Sequence, residues 1–337
     1  MSDEFILDDK YIILNNKNNG KGLTSEVFKV EDIKTKKIYV AKILSQHTRL
    51  FDNEREFLNL LKKKGIENIV NIIDSGDGDI RLRETSLKKQ YIILDYAEKG
   101  DLSKYITLLS KGFTELHAKL LFSKILKAVK EIHKNGVCHR DLKTANILLD
   151  NNFNPKICDF GFATYIRDNL NDCLGTYEYA APEIYKRNYN GVKVDIFALG
   201  VILFNLVTGI YGFEKAEIND KNYKLIMIRK YNNFWQKIKI KNLNEISDGF
   251  KKLFVKMVAL LPKERPTIDS ILEDDWMKEI KEKNENELKD LELELYEEFL
   301  KREEIIKKLT QKDYNIEKKA RICARIVRRE NTISQPR

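Results

Sequence analysis

The sequence predicts an α+β protein of two unequal lobes, and three observations carry that prediction. Residues 11–96 are rich in β-branched and aromatic runs and contain a single helical stretch. From residue 101 onward the apolar residues recur at helical spacing. Between the two regimes lies Lys99-Gly100, a natural joint, and a cleft between a strand-rich and a helix-rich lobe is a common place for a ligand.

In chain order, residues 1–10 form an acidic N-terminal extension. YIIL (11–14), SEVFKVEDI (25–33) and KIYVAKIL (37–44) read as strands, separated by NNKNNGKG and KTK. Residues 49–64 are spaced as a helix and stop at Gly65; NIVNIIDSG and KQYIILDYA are two further strands. The second lobe, 97–280, opens with helical spacing at 101–109 and 114–135, the latter closed by Asn135-Gly136. Later helices are expected near 193–208, 219–230, 247–260 and 267–281. Residues 281–337 form a charged helical extension with a basic tail. In it Leu288, Leu291, Leu295 and Phe299, beside Tyr296 and Leu300, make an apolar stripe suited to docking on the body. Sustained heptads are absent, which disfavours a free coiled coil.

Composition narrows the function classes. The chain has 337 residues, 42% hydrophobic and 34% charged, which is the make-up of a packed globular protein. Its net charge is +9, but Lys318–Arg337 holds seven Lys/Arg against one Glu. The body is therefore near neutral, which argues against a nucleic-acid-binding face. The tail reads as an unstructured basic segment; an acidic partner or membrane surface is the alternative. Arg329 three residues before Thr332 makes that threonine a candidate phosphorylation site. The four cysteines include no C-x-x-C pair, so neither a zinc site nor a disulfide framework is expected. The acidic N-terminus does not read as a signal peptide. The longest apolar run, Ile196–Val207, is too short to span a bilayer and reads as a buried helix. A cytoplasmic monomer is the expectation.

The chemistry-bearing residues fall in three places. Gly20-Lys21-Gly22, with Ser25 in the place of a third glycine and Val27 following, lies between two strands; glycines let backbone N–H groups approach phosphates. Lys42 sits among apolar residues of a strand, where an unpaired ammonium is costly, so it requires anions. Glu56 on the following helix is the first carboxylate candidate and Glu54 the second. His139-Arg140-Asp141-Leu142-Lys143-Thr144-Ala145-Asn146 is followed by Asp159-Phe160-Gly161 and then by Ala181-Pro182-Glu183.

These three pieces, with GTYEYAAPE at 175–183, Asp195–Gly200, Lys263–Thr267 and Asp275-Trp276, resemble the eukaryotic-type protein kinases from about Tyr11 to Trp276. Lys143 and Gly175-Thr176 resemble the Ser/Thr type, and the calcium/calmodulin-dependent and AMP-sensing groups are nearest. The resemblance implies the bilobal kinase fold, ATP and Mg²⁺ as cofactors, and protein Ser/Thr hydroxyls as substrates. It implies that Asp141 orients the substrate hydroxyl and that Lys143 neutralises the transferring phosphoryl. Lys42, set by Glu56, would pair with the α/β-phosphates, and Asn146 and Asp159 would hold metal. Val27, Val40, Leu94, Asp95 and Ala97 would surround adenine beneath the Gly20, Lys21, Gly22, Ser25 loop, with Asp101 at the ribose or at a basic substrate residue. Ala145 departs from the nearest groups, which carry Glu there. Glu183 and Arg265 would form a buried ion pair, His139 and Asp195 would be structural, and Cys158 would line the pocket floor. Asp172 stands where many kinases carry an activating phosphate that pairs with Arg140. A kinase-like scaffold without activity, or a module whose tail carries the function, are the alternative readings; the intact Lys42, Asp141, Asn146 and Asp159 favour the enzyme.

Overall fold

A computed structural model describes residues 5–14, 20–21, 25–44, 48–82, 85–107, 109–238 and 246–333, with side chains of the last helix described as far as Gln311. Gly22 and the rest of the loop around it, and the side chain of Thr332, lie outside the described residues.

The first lobe contains strands β1 (Phe5–Leu7), β2 (Tyr11–Ile13), β3 (Gly20–Lys21), β4 (Ser25–Asp32) and β5 (Ile38–Leu44). Helix α1 (Arg49–Lys63) and strands β6 (Ile72–Leu82) and β7 (Thr85–Asp95) complete it. The strand order is β2-β1-β6-β7-β5-β4-β3, and β2 also pairs with β4. The sheet therefore closes on itself, through β1, β6, β7, β5, β4 and back to β2. Period-two alternation in β5 shows what closure does. Tyr39, Ala41 and Ile43 point inward to a small core with Leu7, Tyr11, Val30, Tyr91 and Ile93. Val40 and Lys42 lie on the opposite face of the strand, toward the second lobe. The sequence placed Phe5–Leu7 in an extension; the backbone instead makes it a strand of the sheet, paired to β2 and β6.

The second lobe opens with β8 (Gly100–Asp101), α2 (Ser103–Ile106), α3 (Glu115–Lys134) and β9 (Val137–Cys138). Then come β10 (Ile147–Leu149), β11 (Pro155–Ile157), β12 (Thr164–Tyr165) and α4 (Gly191–Thr208). It continues with α5 (Tyr223–Met227), α6 (Tyr231–Lys237), α7 (Asp248–Met257), α8 (Ile268–Leu272) and α9 (Lys278–Lys281). Caps fix the longer helices: Thr114 accepts from the His117 N–H, Asn190 from Lys193 and Ser247 from Phe250. The helix expected over 219–230 is confined to α5, and α6 begins separately beyond it, because Asp220 accepts from the Asn222 and Tyr223 amides and Arg229 takes a φ of +59°. α4 is long and apolar enough to cross a membrane, with mean hydropathy 1.8, but 83% of it is buried inside the lobe.

The last helix, α10, runs Glu285–Ile333, so the tail that the sequence suggested was unstructured continues as helix. As the stripe predicts, it docks: Leu291, Leu295 and Phe299 are buried, Leu288 and Tyr296 partly so, and Leu300 faces out. Phe299 stacks on Phe153 at 4.7 Å and packs edge-on against Tyr105. Arg302, which the sequence did not single out, is 1% exposed. It donates to the carbonyls of Tyr105, Lys111 and Gly112 at 2.6–2.7 Å and to Glu298 Oε1 at 2.8 Å, over the ring of Phe113. The Tyr105 carbonyl at the end of α2, and those of Lys111 and Gly112 in the loop after it, are thereby satisfied from another helix.

Candidate active site

Strand β5 presents Lys42 to the space between the lobes, and α1 brings it a partner. The buried face of α1 is Phe51, Glu54, Phe57, Leu58 and Leu61, so Glu54 shares the stripe that packs inward. Lys42 Nζ lies 2.5 Å from Glu54 Oε2 and 3.2 Å from Asp159 Oδ1. Burial opposes a charged Lys42, but Glu54 and Asp159 outweigh it and hold the amine protonated well above its ordinary range. Burial likewise opposes ionised Asp159, yet Lys42 keeps its carboxyl below the usual value. The expected partner Glu56 is excluded by helix geometry. Two residues on from Glu54 is roughly 200° around the helix, which puts Glu56 on the exposed side, where it accepts from the Tyr165 hydroxyl at 2.9 Å. The inward stripe at 51, 54, 57 and 61 is the signal that singles out Glu54.

Asp159 takes a left-handed φ of 65°, and Phe160–Phe162 form a tight turn behind it. Asn53 on α1 donates to the Gly161 carbonyl at 3.3 Å, so the helix that carries Glu54 also touches that turn. His139 packs on Phe160 at 4.9 Å; its Nε2 lies 3.0 Å from the Cys158 carbonyl, and its Nδ1 accepts from the Asp141 N–H at 3.3 Å. A carbonyl can only accept and an amide only donate, so the Nε2–H tautomer satisfies both. Buried Asp195 accepts from the His139 and Arg140 amides at 2.9 and 2.8 Å and contacts His133 Nε2 at 2.8 Å. It props the backbone of the loop. Burial pushes the Cys158 thiol up, so it stays a neutral wall of the pocket.

On that loop Asp141, Lys143 and Asn146 converge. Lys143 Nζ is 2.8 Å from Asp141 Oδ2, and Asn146 Nδ2 donates to the Asp141 carbonyl and Oδ2 at 2.9 and 3.0 Å. Thr176, to which the sequence gave no contact role, donates to Asp141 Oδ1 at 2.9 Å and accepts from Lys143 at 2.8 Å. It ties the segment before Ala181 to the Asp141 carboxylate. Because Asn146 spends its amide N–H groups on Asp141, its Oδ1 is left as an acceptor. Asn146 Oδ1 and Asp159 Oδ2 are hard oxygen donors that fit a divalent cation once phosphate and water oxygens complete the shell.

The remaining expected residues are placed as follows. Leu94 pairs with Val40 and Asp95 with Tyr39, so β5 and β7 run side by side into the joint between the lobes. The Ala97 carbonyl accepts from Gly100 N–H at 3.1 Å in that joint. Val27 pairs with Lys42 and also with Gly20, which sets the two described loop residues, Gly20 and Lys21, over the strand. Ser25 is buried. Asp101 is engaged locally, accepting from Ser103 Oγ and lying 3.5 Å from Lys104 Nζ. Glu183 and Arg265 form the buried two-point pair, at 2.5 and 2.7 Å, with Arg265 also donating to the Ala259 and Lys193 carbonyls. Arg140 reaches Asp172 Oδ2 at 3.1 Å, Tyr189 Oη at 3.2 Å and the Phe162 carbonyl at 2.7 Å.

The protein kinase domain pattern matches residues 14–277. The chain belongs to the protein kinase family. It is 33% identical over 266 residues to the serine/threonine-protein kinase kin-29 of Caenorhabditis elegans, covering 77% of this chain and 30% of that protein. It is 37% identical over 191 residues to kin-29 of Caenorhabditis briggsae, 56% of this chain and 22% of the relative. To CBL-interacting protein kinase 12 of Oryza sativa subsp. japonica it is 30% identical over 271 residues, covering 77% of this chain and 46% of the relative. The chain thus spans less than half the length of these curated relatives. The bilobal α+β kinase fold expected from the motifs is the fold of this family. Members act with ATP and a divalent metal, and the donor set formed by Asn146 and Asp159 is compatible with one.

Proposed function

We propose that this kinase domain is catalytically competent and transfers the γ-phosphoryl group of Mg²⁺-bound ATP to Ser or Thr hydroxyls of proteins. One observation carries the reading: Lys42 is held between Glu54 and Asp159 while Asp141, Lys143, Asn146 and Thr176 are mutually hydrogen-bonded. A scaffold without activity has no need to keep a buried Lys–Glu pair aimed at the cleft, because taking both charges out of water is costly. When bound, Mg²⁺ neutralises phosphate charge and orients the transferring group. Lys42 supplies a fixed positive charge for the α/β-phosphates. Asp141 accepts the hydrogen bond of the incoming hydroxyl and receives its proton as the oxygen attacks phosphorus. Lys143, 2.8 Å from Asp141, stabilises the charge spread over the phosphoryl oxygens. Because Asp101 is already engaged by Ser103 and Lys104, and Ala145 replaces a carboxylate, the preference for basic residues upstream of the target is modest. Lys42→Met, Asp141→Asn and Asp159→Asn should each abolish most transfer to a peptide array while leaving the fold intact; near wild-type turnover in all three would reject the reading.

Asp172 supports activity without an upstream kinase. It places a carboxylate on Arg140, whose side chain is 5% exposed, in a position where a phosphate would carry about −1.5 to −2 charges. Asp172→Ala should lower turnover several-fold. In the double-mutant cycle, Arg140→Ala should mask that loss, whereas additive losses would show that the carboxylate acts elsewhere.

A further inference from the structure

Strand β1 has no place in the chemistry above, and it precedes the matched residues 14–277. Its pairings are nevertheless with the strand that enters the nucleotide-binding loop. Phe5, Ile6 and Leu7 pair with Ile13, Ile12 and Tyr11 of β2. On its other edge Ile6 and Leu7 pair with Arg81 and Ile80 of β6. Without β1, β2 would be an edge strand held only by β4, through Tyr11–Asp32, Ile12–Glu31 and Ile13–Val30. An edge strand with one set of ladder bonds frays readily; closure of the sheet removes that freedom.

Just after β1, Asp8 adds a side-chain tie. The Tyr91 hydroxyl of β7 donates to Asp8 Oδ2 at 2.8 Å. Lys10 bridges Asp8 at 3.0 Å and Asp74 of β6 at 3.3 Å, and the Tyr11 hydroxyl donates to Asp74 at 3.2 Å. Tyr91 is buried at 1% exposure, and three residues further along β7 Leu94 opens the joint between the lobes. β2 pairs with β4, which carries Val27, and β7 carries Leu94 and Asp95; all three residues are proposed to meet adenine. Asp8 is bonded to β7 and continuous in chain with β2.

We propose that β1, together with the Asp8–Tyr91 hydrogen bond, is a positioning element that sets the spacing between β2 and the interlobe end of β7, and thereby the affinity for nucleotide rather than the rate of transfer. The inference rests on the kinase reading above. It adds Leu7, Asp8 and Tyr91, none of which touches the cleft, to the residues that determine how nucleotide is held.

Two variants of the full chain test it. Tyr91→Phe keeps the ring and removes the hydroxyl; Asp8→Asn keeps the shape at a position whose φ of 51° asparagine tolerates. Losing the hydrogen bond in Tyr91→Phe, or its charge and the Lys10 pairing in Asp8→Asn, should raise KM for ATP about three- to tenfold. Turnover and peptide KM should stay within about twofold, since neither depends on the nucleotide's seat once ATP saturates. Hydrogen exchange at the amides of residues 11–13 should accelerate in both variants. The proposal is overturned if ATP KM and that exchange are unchanged, or if kcat falls at constant ATP KM. Wild-type protein that transfers no phosphate would instead refute the kinase reading; the exchange rates, and ADP binding by calorimetry, would still decide the role of β1.

Discussion

The two segments that flank residues 14–277 are attached to the same domain by opposite means. Strand β1 is held by backbone: its three residues pair with β2, two of them pair also with β6, and of its side chains only Leu7 enters the small inner core. Helix α10 is held by side chains, with its own backbone bonds satisfied internally; its contact rests on Leu291, Leu295, Phe299 and Arg302. The difference teaches that a strand can be stitched in by almost any sequence of adequate β-propensity, whereas a helix is only as firmly docked as its few buried side chains.

The comparison can be broken most severely at Arg302. Arg302→Ala leaves the Tyr105, Lys111 and Gly112 carbonyls and Glu298 without their partner, an expected loss of ~3–5 kcal/mol, as for one half of a buried charged network. Thermal or denaturant unfolding should show it; a loss under about 1 kcal/mol, as for an exposed pair, would mean that α10 is held by its apolar stripe alone. A smaller effect is expected on the other side at Gly78. A Cβ there would lie 2.7 Å from Asp8 Cβ and 2.8 Å from a Tyr91 ring carbon. Gly78→Ala should therefore cost ~1–3 kcal/mol through overpacking, whereas an unchanged midpoint would show that β1 shifts freely against β6. The smallest effect is expected at Lys99, which pairs with Glu303 at 3.3 Å and sits over the Phe153 ring at 4.7 Å. Lys99→Met should cost no more than ~1 kcal/mol, because the pair is only partly buried and the Met side chain keeps the packing on Phe153.

What could be read in the sequence follows the same division. Asp141, Lys143, Asn146 and Asp159 lie in short segments with fixed loop geometry, so their order along the chain is nearly their order in space. Glu54 ranked second to Glu56 because choosing between them needs the phase of α1, which only the stripe Phe51, Phe57 and Leu61 supplies. β1 escaped notice because Phe5-Ile6-Leu7 is three residues long and is followed by Asp8-Asp9-Lys10, which reads as a solvated end; both aspartates take a left-handed φ that turns the chain back along β2. Arg302 was invisible for a plainer reason. In a run of Lys and Glu, nothing local distinguishes the one cation that will be buried from those that stay in water, since its partners are carbonyls 190 to 197 residues away. The docking of α10 itself was legible, because apolar spacing survives in a charged helix.

Arg302 also marks where the domain can be cut. The family pattern stops at Met277, and a protein ended there would look whole by its motifs. It would leave the Tyr105, Phe113 and Phe153 rings uncovered around three bare carbonyls, a sticky patch on the lobe that carries the catalytic loop. Proteolytic trimming short of Arg302 should therefore promote self-association, and limited digestion should stall on the far side of that residue.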